Sequence, residues 1–136
     1  MKQFITISLC CITIMLFNGC KGEQKAVAIR TENRLNITKI SVGMTKAEVL
    51  QIMGDKTAQA SFGKNTVTVT NPYRGEFKQV NGQNYEILYY YTHQDQHDWP
   101  GKRFKILERE LTPIIFQDGK VIGWGPEFFA QKFSGK

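Results

Sequence analysis

The chain has 136 residues, 41% of them hydrophobic and 22% charged, with a formal net charge of +6 at pH 7. This length corresponds to one domain. The basic residues are scattered along the chain, which indicates an ordinary charged surface and argues against nucleic acid as a partner.

Residues 1–19 have the pattern of an export signal. Lys2 gives the start a positive charge, Phe4–Phe17 is almost wholly apolar, and Gly19 stands directly before Cys20. A basic start, a short apolar core and a small residue before the cleavage site are typical of signal peptides. The core is too short to favour a retained transmembrane helix. An ordinary secretory peptide that happens to contain a cysteine is the alternative.

The pair Gly19-Cys20 resembles a bacterial lipoprotein signal, in which the cysteine is acylated, with palmitate for example, and becomes the first mature residue. Removal of residues 1–19 would leave 117 residues (136 − 19) and discard Cys10 and Cys11. No thiol would then remain for a disulfide, a metal or a nucleophile. Several acyl chains on Cys20 would anchor the protein stably to a bilayer. We expect residues 20–25 to form a lipidated tether and residues 26–136 a single domain.

A first helix is predicted within Ala26–Ile40 from the spacing of its apolar residues. The residues expected to face inward are apolar: Val27, Leu35 and Ile40, with Ile29 and Ile37 as further candidates.

A second helix, Thr45–Met53, has clear start and stop signals. Thr45 and Glu48 form the pattern of a capping box, in which each side chain accepts a hydrogen bond from the other residue's amide. An apolar stripe recurs at helical spacing and Gly54 follows as a C-terminal cap. The stripe consists of Val49, Ile52 and Met53.

From Gly54 onward the hydrophobic period changes to two, which indicates strands. Thr66–Thr70 alternates threonine and valine, and Asn71-Pro72 ends that strand. Glu76–Val80 is a short strand, and Asn81-Gly82 is a hairpin turn. Tyr85–His93 has apolar or aromatic residues on both faces, which predicts a central strand.

The segment Gln94–Gly101 is predicted to be a polar loop. Phe104–Phe116 predicts a long strand interrupted near Thr112-Pro113. Asp118-Gly119 is a hairpin turn, and Lys120–Trp124 is the returning strand.

The order of these elements predicts an α+β fold, with two N-terminal helices packed on one face of a three- to four-stranded antiparallel sheet. Two helices would leave aromatic residues on the opposite face. Those residues are either exposed as a binding patch or covered by the tail Pro126–Lys136, whose Phe129 and Phe133 share one helical face. The sequence leaves both possibilities open.

Three segments resemble the SmpA/OmlA, or BamE-like, superfamily of small bacterial outer-membrane lipoproteins: Ile40–Gly54, Tyr85–Thr92 and Leu111–Gly125. The helix start Gly43-Met44-Thr45 is the most specific part. The resemblance implies two helices on an antiparallel sheet, an outer-membrane anchor facing the periplasm, and a role in envelope integrity or barrel-protein assembly. The longer segment after Gly54 and the aromatic tail indicate a member other than the assembly factor itself.

The leading hypothesis is therefore a lipid-anchored periplasmic binding or scaffold protein without enzymatic activity or a cofactor. Lys21 follows the anchor in place of an inner-membrane retention aspartate, which favours the outer membrane. A membrane and an envelope protein are the expected partners, and no small-molecule substrate is expected. The candidate partner contacts are aromatic: Tyr73, Trp99, Trp124, Phe128 and Phe129.

Two other functions remain open. A ligand-binding or enzyme-inhibitor module would have a pocket or an exposed aromatic loop around Asn71–Tyr73 and Trp99. A metal site could use His93, Asp95 and His97, which project to one side of an extended chain. A solvated loop explains the histidines more simply, and no nucleophile in the sequence has a visible activating base.

Overall fold

The computed structural model describes residues 21–62, 65–94 and 106–134. The helices are α1 (Lys21–Ile37), α2 (Lys46–Met53) and α3 (Pro126–Phe133), with a 3-10 turn at Glu108–Glu110. The strands are β1 (Thr57–Phe62), β2 (Asn65–Thr70), β3 (Arg74–Val80), β4 (Gln83–Tyr91), β5 (Leu111–Gln117) and β6 (Lys120–Trp124). The predicted signal peptide, Cys20 and the predicted loop after Gln94 lie outside the described residues.

The strands form two antiparallel sheets, a β1-β2 hairpin and a four-stranded sheet in the order β3-β4-β5-β6. The α+β class and the central position of β4 are therefore confirmed. The β1 strand was not predicted, because Thr57–Phe62 has few β-branched or aromatic residues. Its pairing with β2 along the whole strand, for example Ala58 with Val69, compensates for that weak local preference.

Side chains alternate across β4 and divide the core into two clusters. Tyr85, Ile87 and Tyr89 belong to one cluster, on the side we call the α3 face, because α3 packs there. Leu88 and Tyr90 belong to the other cluster, on the α2 face, together with residues of α2.

The first helix differs from its prediction in both extent and orientation. It begins at Lys21 and so includes most of the predicted tether, which contains good helix formers such as Glu23 and Gln24. Val27 is 38% exposed and Leu35 is 63% exposed, so their assignment to the core was wrong. Within residues 25–37 of this helix, the buried residues are Ala26, Ile29, Asn33 and Asn36, while Ile37 is partly buried.

Asn33 explains why hydrophobicity misidentified the buried face of α1. Its amide nitrogen donates to Asn71 Oδ1 at 2.9 Å and to the Tyr91 carbonyl at 2.9 Å. It also accepts from Asn71 Nδ2 at 2.7 Å. A buried polar group whose hydrogen bonds are satisfied is tolerated in a core. Asn33 therefore faces inward, whereas hydropathy predicted that Leu35 would face inward.

The second helix is as predicted, with Thr45 as N-cap and Gly54 as C-cap. The capping box forms: the Glu48 amide donates to Thr45 Oγ1, and the Thr45 amide donates to Glu48 Oε2 at 2.7 Å. Val49 and Met53 are buried against the α2 face together with Ile40.

Both predicted hairpin turns are confirmed. Asn81 and Gly82 have φ of 52° and 76°, and Asp118 and Gly119 have φ of 51° and 74°. Two consecutive positive φ values define the turn that matches the twist of hairpin strands.

The predicted long strand before β5 is wrong, because residues 108–110 form a 3-10 turn. Glu110 is buried in that turn and accepts from the Leu107 amide at 2.9 Å. The strand begins only at Leu111 and continues without a break through Thr112 and Pro113. Phe104 lies outside the described residues.

Candidate functional site

The aromatic tail forms α3 and covers part of the α3 face. The Phe133 ring meets Tyr85 edge-on with centroids 5.3 Å apart, and the Phe129 ring lies 6.2 Å from Tyr89. This packing decides between the two possibilities left open for the aromatic residues, in favour of coverage by the tail.

A groove of about 380 Å³ remains open between the start of α3 and the β3 side of the sheet. We call it the α3 groove. Its lining comes from four elements and the 3-10 turn: Arg74, Glu76 and Lys78 of β3, Tyr89 of β4, Glu108 and Arg109, Leu111 and Pro113 of β5, and Pro126 and Phe129 of α3.

Two cations of β3 lie against the aromatic rings of this groove. The Arg74 guanidinium carbon is 4.1 Å from the centre of the Tyr89 ring. Lys78 Nζ is 5.0 Å from the centre of the Phe129 ring and also lies over Phe133. Such cation–π contacts hold both side chains in defined positions while their charges remain accessible.

Arg74 is also held by a paired ion contact with Glu108. Its two terminal nitrogens donate to the two carboxylate oxygens, Nη1 to Oε1 and Nη2 to Oε2, the latter at 2.8 Å. This hydrogen bonding with Glu108 is the main cause that raises the Arg74 pKa. The Arg74 side chain is 38% exposed and that of Glu108 is 70% exposed, so water reaches the pair.

Tyr89 links the floor of the groove to the third charged residue of β3. Its hydroxyl donates to Glu76 Oε1 at 2.9 Å. Burial raises the pKa of Tyr89 to about 12, so the hydroxyl remains a protonated donor even above the pH at which an ordinary tyrosine ionises. Glu76 also lies 3.7 Å from Arg74 and 3.8 Å from Lys78, which gives β3 charges of alternating sign.

The groove therefore combines an apolar and aromatic floor with charged side chains of both signs. Aromatic residues and arginine are the side chains that most often anchor protein–protein contacts. Among the described residues, the lining contains no serine, cysteine or histidine. This arrangement can recognise a partner through stacking, apolar contact and exchange of ion pairs.

The predicted contact residues do not form one patch. Phe129 lines the groove, and Phe128 packs beside it against the same cluster. Tyr73 is partly buried in that cluster, and its amide donates to the Tyr89 carbonyl. Trp124 packs with the residues of the α2 face. Trp99 and Cys20 lie outside the described residues.

Asn71, from the ligand-binding or inhibitor hypothesis, and His93, from the metal hypothesis, both make hydrogen-bond contacts within the protein. Asn71 is buried, and its amide also donates to the Met53 carbonyl at 3.0 Å, so it does not form the exposed loop we expected. His93 Nδ1 lies 2.7 Å from Thr92 Oγ1. His97 is outside the described residues, among which no three His, Cys, Asp or Glu side chains are grouped as metal ligands.

The Arg74–Glu108 pair escaped the sequence analysis. The sequence places Glu108 within the predicted strand Phe104–Phe116 and indicates no partner for it from β3. Glu108 instead pairs with Arg74, 34 residues earlier in the chain. The one local signal was the alternation of charge along β3, which places Arg74, Glu76 and Lys78 on the same face of a strand.

A family model described as "Protein of unknown function (DUF3192)" matches residues 10–131. The chain belongs to the DUF3192 family. No curated protein and no solved structure matches this DUF3192 chain. In the part of the chain that the structure describes, no helix has both the length and the apolarity needed to cross a bilayer.

Proposed function

We propose that this protein is a lipid-anchored binding protein of the bacterial envelope and that the α3 groove contacts its protein partner. The observation that carries the proposal is the exposed Arg74–Glu108 pair above the Tyr89 ring. Exposed ion pairs contribute little to stability, so Glu108 can be exchanged at low cost for a carboxylate of the partner. Apolar side chains of the partner would then pack on Tyr89 and Phe129.

The anchor in this proposal is Cys20, which follows the signal-like residues 1–19. The resemblance to the SmpA/OmlA superfamily supports an outer-membrane location facing the periplasm and a supporting role in envelope integrity or barrel-protein assembly. The BamE-like arrangement of two helices on one sheet belongs to the same proposal. It must accommodate the β1-β2 hairpin and α3, both of which this chain has in addition.

Cell fractionation tests the anchor. We expect the wild-type chain in the outer-membrane fraction and Cys20→Ala in the soluble fraction, because acyl chains supply the membrane affinity. Cys10→Ala is the matched control and should fractionate like wild type. Equal membrane association of wild type and Cys20→Ala would refute lipidation as the means of attachment.

Site-specific photocrosslinking in cells tests the groove. A photoreactive residue replaces Glu127, which is exposed and directly follows Pro126 of the groove lining. The control position is Leu35, which is 63% exposed and outside the groove. We expect one specific protein adduct at position 127 and none at position 35.

Two charge variants make this test specific for the ion-pair exchange. Arg74→Glu should abolish the adduct, because the partner's carboxylate would meet a negative charge. Glu108→Gln should increase it, because the competing internal carboxylate is gone. An adduct that neither variant changes would place the interface elsewhere.

A further inference from the structure

The two edges of the four-stranded sheet differ. The β6 edge is covered by the segment Gly43–Lys46: the Gly43 amide donates to the Val121 carbonyl, and the Val121 amide donates to the Met44 carbonyl, both at 2.8 Å. The β3 edge has β4 as its only strand neighbour within the described residues. Every second residue of such a strand directs its backbone N–H and C=O away from the sheet, available to another strand.

Phe77 lies at the midpoint of this open edge. Three residues of β3 precede it and three follow it. Its side chain is 81% exposed, on the α2 face beyond the area that α2 covers. An exposed aromatic residue at the centre of an unpaired strand is typical of a contact surface.

We propose that β3 pairs antiparallel with β3 of a second copy of this chain, about a two-fold axis at Phe77. In that register Phe77 meets Phe77 of the second copy, and Glu76 stands opposite Lys78 of the second copy. The two-fold axis repeats the pairing of Glu76 with Lys78, so the interface contains two such ion pairs. The product is a continuous eight-stranded sheet.

Charge complementarity indicates that the strand pairing with the β3 edge belongs to a second copy of this chain. Charged residues on an edge strand normally prevent pairing. On β3 the signs alternate about Phe77, so the two-fold register places opposite charges directly across from each other, where they stabilise an antiparallel pair. The rotation that matches the charges also stacks the two Phe77 rings, without any adjustment of register.

Directly opposed residues in antiparallel strands lie on the same face of the sheet. Both α3 grooves would therefore open on one side of the joined sheet. The two intermolecular ion pairs would lie next to them, because Glu76 and Lys78 already line the groove. The dimer would present two identical binding grooves to one surface.

Disulfide trapping of the full chain tests this pairing. Phe77→Cys brings two thiols opposite each other, at a Cα separation of about 4.5–5.5 Å that a disulfide can span. Cells expressing the variant are treated with diamide and the chain is analysed on a non-reducing gel. We expect a disulfide-linked dimer from Phe77→Cys. Wild type, which contains Cys10, Cys11 and Cys20, should give none.

The matched control for random collision is Val42→Cys, because Val42 is 67% exposed and lies near the covered β6 edge. Dimer formation at position 77 but not at position 42 supports the proposal. Equal trapping at both positions, or none at either, overturns it. Because Phe77 is exposed, Phe77→Cys should fold like wild type, and circular dichroism of the purified variant checks this.

Charge variants in the Phe77→Cys background test the register. Lys78→Glu and Glu76→Lys each place like charges opposite each other twice per dimer and should lower the trapped fraction about fivefold. The double exchange Glu76→Lys/Lys78→Glu restores opposite charges and should restore trapping. Lys120→Glu makes the same charge change on β6, at the opposite edge of the sheet, and should have no effect. Failure of the double exchange to rescue trapping would exclude this register.

Discussion

Asn33 connects three parts of the chain through one fully buried amide. It belongs to α1, it bonds to Tyr91 at the end of β4, and it bonds to Asn71 after β2. Asn71 in turn bonds to the Met53 carbonyl at the end of α2. This pair of amides satisfies backbone groups that apolar side chains could not satisfy.

We expect Asn33→Ala to lower the free energy of unfolding by about 1–3 kcal/mol, because it leaves buried polar groups of Asn71 and Tyr91 unpaired. Urea denaturation monitored by circular dichroism measures the change. Asn84→Ala, at an exposed position of β4, is the control for the same substitution. Equal stability of the two variants would contradict a structural role for the buried amide.

Tyr89 and Tyr90 should make the protein sensitive to alkaline pH. Burial raises the pKa of both hydroxyls from the ordinary value of 10.0 to about 12. A pKa raised in the folded state stabilises that state fully below pH 10, and the contribution is lost as pH rises toward 12. The free energy of unfolding should therefore fall across this interval.

Near-ultraviolet absorbance reports these ionisations directly. The folded protein should have a tyrosine component near pH 12, and all five tyrosines should ionise near pH 10 in denaturant. Tyr90→Phe keeps the ring and should remove part of the late component and part of the alkaline loss of stability. A single transition near pH 10 in the folded protein would disprove burial of these hydroxyls.

At the scale of elements, the docking of α3 depends on a glycine. A Cβ atom added to Gly123 would lie 2.5 Å from the Phe128 ring, too close for any undisturbed contact. The absence of a side chain at Gly123 leaves the space in which Phe128 packs on β6. This contact positions the start of α3, which borders the groove.

We expect Gly123→Ala to destabilise the fold by about 1–3 kcal/mol through overpacking. Phe128→Ala should cost less in the Gly123→Ala background than in wild type, because the clash is then relieved. A double-mutant cycle of thermal or urea unfolding measures this coupling. Gly75→Ala is the comparison and should destabilise less, because its Cβ would meet the Leu88 side chain at 3.3 Å, a smaller overlap than the one at Gly123. Additive effects of the two substitutions would refute the contact.

The elements that the sequence predicts well are those specified by neighbouring residues. The α2 helix follows from the Thr45–Glu48 capping box and Gly54, and both hairpins follow from two-residue turns with positive φ. The β1 strand and the buried face of α1 depend on distant partners, namely β2 and Asn71. Hydropathy ranks asparagine as a surface residue, so no local rule could place Asn33 inward.

The same reasoning applies to the groove. The sequence predicted Phe129 as a contact residue and Phe129–Phe133 as one helical face, and the structure brings both residues onto the sheet. It could not predict the Arg74–Glu108 pair, because the two residues meet only when the 3-10 turn before β5 lies over the start of β3. Sites assembled from several elements require the tertiary fold.

At the scale of the whole molecule, both hydrophobic clusters share the four-stranded sheet, and α1 contributes to each of them. Ala26 and Ile29 lie in the cluster of the α3 face, and Ile37 packs against the cluster of the α2 face. The β1-β2 hairpin is attached mainly through α1, whose Ile29 belongs to the same cluster as Ala58 and Val69. One helix therefore joins the second sheet to the first.

The segment Gly43–Lys46 couples the opening of the β6 edge to the unfolding of α2. It leads into α2 and at the same time pairs with β6 and with the turn before it, where the Lys46 amide donates to the Gly119 carbonyl at 3.1 Å. Opening the β6 edge therefore also removes the first turn of α2, so these elements should open as one cooperative unit. In native-state hydrogen exchange, the amides of Val121 and Val49 should exchange with the same opening free energy, and Thr45→Ala should lower both values equally. The edge that this segment closes is thus protected from foreign strands for as long as α2 stays folded.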